Sequence, residues 1–99
     1  MIDTFDLNQV NGAVNSIPPH VDASLPDGVW DCEDYALAKA RKLAYMGARP
    51  SDLKFKIYDT PWGRHMVLVY KEKYVLDNLT DGVYTVGALR KRGYEEPAK

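Results

Sequence analysis

Ninety-nine residues, 45% hydrophobic and 27% charged, hold enough apolar material for one core and too little chain for two catalytic-size units, so a single domain over 1–99 is predicted. Thirteen basic against fourteen acidic residues leave a net charge of -1 with no long block of either sign, which excludes the electrostatic footprint of a nucleic-acid binder. One cysteine excludes an intramolecular disulfide, and no apolar run approaches the roughly 20 residues that span a bilayer, so no membrane insertion is expected. Met1 to Asp6 has neither the basic nor the apolar region of a secretory leader, and the chain as written is expected in the cytoplasm.

The first element is a helix. Leu7, Val10, Val14 and Ile17 recur at three- and four-residue spacing on one stripe, Asp6 is a candidate cap, and Pro18-Pro19 is the stop. Residues 18–29 carry three prolines and Gly28 with no apolar period, and read as a connecting loop. A second helix is predicted from Cys32 to Met46, with Asp31 as N-cap, Asp34 three positions on and Gly47 as the stop. At 100° per residue Cys32, Ala36, Ala40 and Leu43 share a core-facing stripe flanked by Tyr35 and Met46, while Asp34, Arg41, Lys42 and Tyr45 fall mainly on the far side.

From Leu53 the period becomes that of strands. Leu53 to Asp59, a Thr60-Pro61-Trp62-Gly63 turn, His65 to Tyr70, and Tyr74 to Leu79 form an antiparallel meander, and Thr80-Asp81-Gly82 turns into Val83 to Val86. The tail from Arg90 is charged, with Pro97 near its end, and is expected to fray. The predicted class is therefore α+β: a central cysteine-bearing helix on an antiparallel sheet of about four strands, with an N-terminal helix.

Candidate chemistry gathers at Cys32, His65 and Asp77. If Tyr70 pairs with Tyr74 across Lys71-Glu72-Lys73, Val67 faces Asp77 and His65 lies diagonally across on the same sheet face; a one-residue slip separates them. A thiol is a weak nucleophile until ionised, and both an imidazolium and a helix N-terminus favour the thiolate. Asp77 would then hold the imidazole in its useful tautomer, and Asn11 or Asn15 could assist backbone N–H groups at the oxyanion. Asp31 and Glu33 beside Cys32 oppose thiolate formation unless neutralised. With Asp34 they form an oxygen-ligand set that suits calcium, although capping and a solvated surface account for the same three residues.

A lone cysteine is ordinarily a small buried hydrophobe, Asp77-Asn78 suits a strand end, and His20 sits in the proline-rich loop without a partner. Trp30 and Trp62 read as packing residues near the cleft, either of which could line an acyl-binding groove. Taken in order, however, Trp30-Asp31-Cys32-Glu33-Asp34-Tyr35-Ala36, His65-Met66-Val67-Leu68-Val69 and Val75-Leu76-Asp77-Asn78-Leu79, together with Val10-Asn11 and Val14-Asn15, resemble the bacterial transglutaminase-like cysteine proteinases of LapG type. The resemblance departs at Trp30, where the family usually has Gly, and in length, since members are commonly longer and carry a signal peptide. It implies a papain-like or transglutaminase-like core, Cys32 as nucleophile, His65 as general base and acid, Asp77 as orienter, and calcium near Asp31, Glu33 and Asp34. Relatives are often periplasmic, and so short a version could be phage-encoded.

Two functions follow as expectations. One is a thiol hydrolase that cleaves a peptide or amide bond in a protein or peptide substrate through a thioester, with peptidoglycan peptides as a variant substrate. The other is a non-catalytic module that binds a partner protein on the same fold.

Overall fold

The computed structural model describes residues 2–17 and 32–97. Helix α1 spans Thr4–Asn15 and α2 spans Cys32–Tyr45; strands β1 (Leu53–Thr60), β2 (Gly63–Tyr70), β3 (Tyr74–Leu76) and β4 (Tyr84–Thr85) follow, with short 3-10 turns at Pro50–Asp52 and Val86–Ala88. The predicted α+β class is what the chain adopts.

Asp3, not Asp6, caps α1. Its side chain accepts the Asp6 N–H at 2.9 Å while Asp6 Oδ2 accepts the Asp3 N–H at 3.1 Å, so Asp6 is the acidic partner of a capping box one turn in. The helix ends at Asn15, which leaves Ile17 beyond it, and Leu7, Val10, Asn11 and Val14 form its buried face. The loop expected over 18–29 and the proposed Asp31 cap lie outside the described residues.

Helix α2 stops as its sequence predicts. Gly47 takes φ +105, its N–H reaches the Ala44 carbonyl, and the Ala48 N–H reaches Leu43, a Schellman close that most side chains would strain. Ala36, Ala40 and Leu43 are buried as expected, and so are Tyr35 and, unexpectedly, Lys39, whereas Met46 is exposed.

The four strands form one antiparallel sheet in the order β1-β2-β3-β4. Tyr70 pairs with Tyr74 as predicted, and the ladder runs through Val69↔Val75 to Leu68↔Leu76. Lys71 and Glu72 make that three-residue connection possible by adopting φ 52 and 58. Alternation along β2 gives the sheet two buried faces. Leu68 and Tyr70 pack with Leu7, Val10, Val14 and Leu43 beneath the helices, while Val67 and Val69 pack with Tyr58, Val75, Leu89 and Tyr94 on the opposite side.

The C-terminal half differs from the sequence reading at β3, β4 and the tail. β3 ends at Leu76 rather than Leu79, because the chain turns away at Asp77 and α1 holds the turn: Asn15 Nδ2 donates to the Asp77 and Thr80 carbonyls at 2.9 and 2.7 Å. β4 is only two residues long and passes into the 3-10 turn. The tail does not fray from Arg90. Asp59 and Glu95 exchange two backbone hydrogen bonds of 2.7 and 2.8 Å, and Tyr94 is buried with 2% exposure. Among the described residues, no helix is long and apolar enough to cross a membrane.

Candidate functional site

His65 and Asp77 meet as the register requires. His65 Nε2 lies 2.7 Å from Asp77 Oδ1, with the imidazole almost buried and the carboxylate wholly so. The ladder ends one pair short of Val67 opposite Asp77, and this frees the carboxylate to swing towards β2. Oδ1 also accepts the Leu79 N–H at 2.9 Å, and Oδ2 accepts the hydroxyls of Tyr84 and Tyr94, each at 2.7 Å. Burial alone would push this carboxyl up; the bonds from His65, Leu79, Tyr94 and Tyr84 outweigh it and hold the group well below the usual carboxylate range. Asp77 is therefore a carboxylate at neutral pH. Burial, and then the bond to Asp77, pushes both tyrosine hydroxyls up, so they remain protonated donors.

Cys32 opens α2 and is half-buried. Its Sγ accepts the backbone N–H of Met66 at 3.4 Å, which places the sulfur against β2 next in sequence to His65. Cys32, Glu33, Ile57, Arg64, His65 and Met66 line a shallow cleft of about 160 Å³. A larger groove of about 730 Å³ lies between α1 and α2, lined by Val10, Ala13, Ala38 and Tyr45, but it holds neither Cys32 nor His65. The small cleft is the one that brings a cysteine and a histidine together; the larger groove has polar side chains in Gln9, Arg41 and Lys42 but no such pair.

Several sequence expectations change here. Asn11 and Asn15 do not offer amide N–H groups to an oxyanion. Asn11 Nδ2 donates to the Thr80 and Asp81 carbonyls at 3.0 and 3.1 Å, and Asn15 to Asp77 and Thr80, so both amides pin the loop that carries Asp77. Trp62 is 73% exposed at the β1–β2 turn and packs no cleft; Trp30, His20 and Asp31 lie outside the described residues. Glu33 is exposed and Asp34 half-buried on the first turn of α2. Their oxygens suit a hard cation, but among the described residues no group of three His, Cys, Asp or Glu side chains could hold a metal ion, so any calcium site needs Asp31 or backbone oxygens as well.

Sequence reading missed Tyr84, Tyr94 and Lys39. Lys39 is 1% exposed on the stripe of α2 that also carries Cys32, seven residues away and hence almost directly below it on a helical wheel. Burial pulls its ammonium down to about 8, and the Asp77 charge opposes that fall. A lysine on an otherwise apolar stripe was the available signal. For Tyr84 and Tyr94 there was none, since each reaches Asp77 through pairings between distant segments.

The chain is thus an α+β protein with a cysteine at the head of a helix, laid on an antiparallel sheet that carries a buried His–Asp pair. The sequence model of the bacterial transglutaminase-like cysteine proteinases (BTLCP) matches residues 4–94, and the chain belongs to this family. Legionella pneumophila LapG in its calcium-bound form shares the fold with a TM-score of 0.72 at 24% identity, over 90% of this chain and 60% of that one. LapG and EGTA-treated LapG, from the same organism, each give 0.71 at 24% identity, over 90% of this chain and 58% of theirs. The chain thus spans about three fifths of the length of these solved chains. Comparison with curated proteins gave no significant match.

Proposed function

We propose that this protein is a cysteine peptidase or amidase in which Cys32 is the nucleophile, His65 the general base and acid, and Asp77 the group that orients the imidazole. The observation that carries this reading is the 2.7 Å His65–Asp77 bond beside a half-buried cysteine whose sulfur rests on the next backbone N–H of β2. Because Nε2 faces Asp77, Nδ1 is the ring nitrogen left for the thiol. His65 takes the proton from Sγ, the thiolate attacks a peptide or amide carbonyl, and the tetrahedral oxyanion is met by backbone N–H groups at the start of α2. The C–N bond breaks as the imidazolium gives its proton to the leaving amine, which yields the thioester on Cys32. Water, deprotonated by His65, then attacks the thioester; the C–S bond breaks, acid leaves, and the thiol recovers its proton.

Calcium held by Asp31, Glu33 and Asp34 is part of the proposal: it would neutralise the two carboxylates that flank the nucleophile. One of the solved LapG structures is calcium-bound.

A binding module on the same fold is the competing reading, and the shallowness of the cleft at Cys32 favours it. One experiment separates the two. Iodoacetamide should alkylate Cys32 at neutral pH at least ten times faster than it alkylates free cysteine, and His65→Ala should remove that excess. With p-nitrophenyl acetate, the wild type should give a stoichiometric acylation burst that Cys32→Ser lacks. Labelling no faster than free cysteine, with no burst, would establish the module instead.

A further inference from the structure

Asp77 presents only one of its oxygens to the imidazole. The other, Oδ2, is occupied by two hydroxyls that arrive from separate parts of the chain. Tyr84 opens β4. Tyr94 lies in the C-terminal segment that the Asp59–Glu95 bridge ties to the end of β1, and its ring stands edge-on to His65 with centroids 5.9 Å apart at 83°. The Arg92 guanidinium lies 4.7 Å over the Tyr84 ring and 5.5 Å over the Tyr94 ring, which holds the two aromatics together.

We propose that Tyr84 and Tyr94 are positioning residues of the His65–Asp77 pair: their hydroxyls clamp Oδ2 so that Oδ1 alone, in one fixed plane, faces Nε2. This rests on the Cys32–His65–Asp77 reading above and adds the part that the C-terminal segment plays in it. A carboxylate can accept about four hydrogen bonds, and one with only His65 and Leu79 as donors keeps the freedom to rotate or to offer either oxygen. Four donors remove that freedom. The two neutral donors also draw charge to the far oxygen. Asp77 then becomes a weaker base towards the imidazolium, and His65 gives up its proton to a leaving amine more readily. Lys39 from α2, and Arg92 beside the tyrosines, are the cationic groups that act on the same carboxylate.

The test compares Tyr84→Phe and Tyr94→Phe with Tyr58→Phe. Tyr58 is a buried ring on the same sheet face, 6.3 Å from Tyr94, whose hydroxyl is not a donor to Asp77. His65 is followed by NMR on protein with 15N-labelled histidine, and His20→Gln assigns the second ring. Loss of either hydroxyl should shift the hydrogen-bonded Nε2 15N resonance, because a less satisfied carboxylate holds the imidazole more strongly and in a less fixed plane. It should also move the hydrogen-bonded Nε2 proton, and Tyr58→Phe should change neither signal. Nε2 nitrogen and proton signals equal to wild type in both variants, with only the melting temperature lowered, would overturn the clamp and leave a packing role. If one variant does not fold, the other carries the same reading, since both donors act on the same oxygen. The readout needs no substrate, so an inert Cys32 would sink the proposed function without altering this result.

Discussion

Asp77 is the residue on which the site turns, because it is wholly buried and ionised and its four donors come from β2, its own turn, β4 and the C-terminal segment. Its stability contribution has a definite sign. The folded group lies below its ordinary value of 3.8, so the unfolded chain binds more protons as pH falls. The contribution is complete above the ordinary carboxylate range and drains away through about pH 4 and below. Urea unfolding should therefore show wild-type stability falling between about pH 5 and pH 2. Asp77→Asn should be less stable at pH 7 by about 2 kcal/mol and flatter across that window. An acid slope unchanged in Asp77→Asn would assign the loss to other carboxylates. If the proposed mechanism holds, the same substitution lowers the acylation rate about a thousandfold or more, since an amide favours the wrong tautomer of His65.

At the scale of elements, α2 joins the two parts of the candidate site. Its first residue brings sulfur to β2, its small residues Ala36 and Ala40 let it lie close to the sheet, and Lys39 puts a buried ammonium within the influence of Asp77. Burial pulls the Lys39 ammonium from 10.5 to about 8, so folding disfavours its charged form. Between those two values the unfolded chain holds the extra proton, and stability rises with pH. Chemical unfolding from pH 7.5 to 10 should show this rise in the wild type and lose it in Lys39→Met. A rise that survives the substitution would mean that another group carries it.

At the scale of the whole molecule, the site depends on both ends of the chain. α1 holds the Asp77 turn through Asn11 and Asn15, and the segment around Tyr94 closes the opposite face of the sheet. Calcium at the head of α2, if bound, acts on this scale by favouring the folded state. At a hundredfold excess over Kd it adds about 2.7 kcal/mol, which for a domain of this size is a rise of roughly 10 °C or more in Tm. Melting in calcium chloride should exceed melting in EGTA by that order, and Asp34→Asn should shrink the difference. Equal Tm values in the two buffers would remove calcium from the proposal.

What the sequence determined by itself is local or follows from one register. The Gly47 stop, the apolar stripes of both helices, the strand period and the Tyr70–Tyr74 pairing are written in neighbouring residues, and that pairing alone puts His65 and Asp77 on one face. The match of the Asp-Cys-Glu-Asp-Tyr block and the two strand motifs to one family was legible for the same reason. Tertiary structure decided the rest. Where β3 stops depends on amides from α1, sixty residues upstream. Whether the charged tail frays depends on two backbone bonds to Asp59 and on the pocket that takes the Tyr94 ring. The carboxylate of Asp77 gains its tyrosine donors, and Lys39 its burial, only when separate segments close on one another, and no local pattern encodes that.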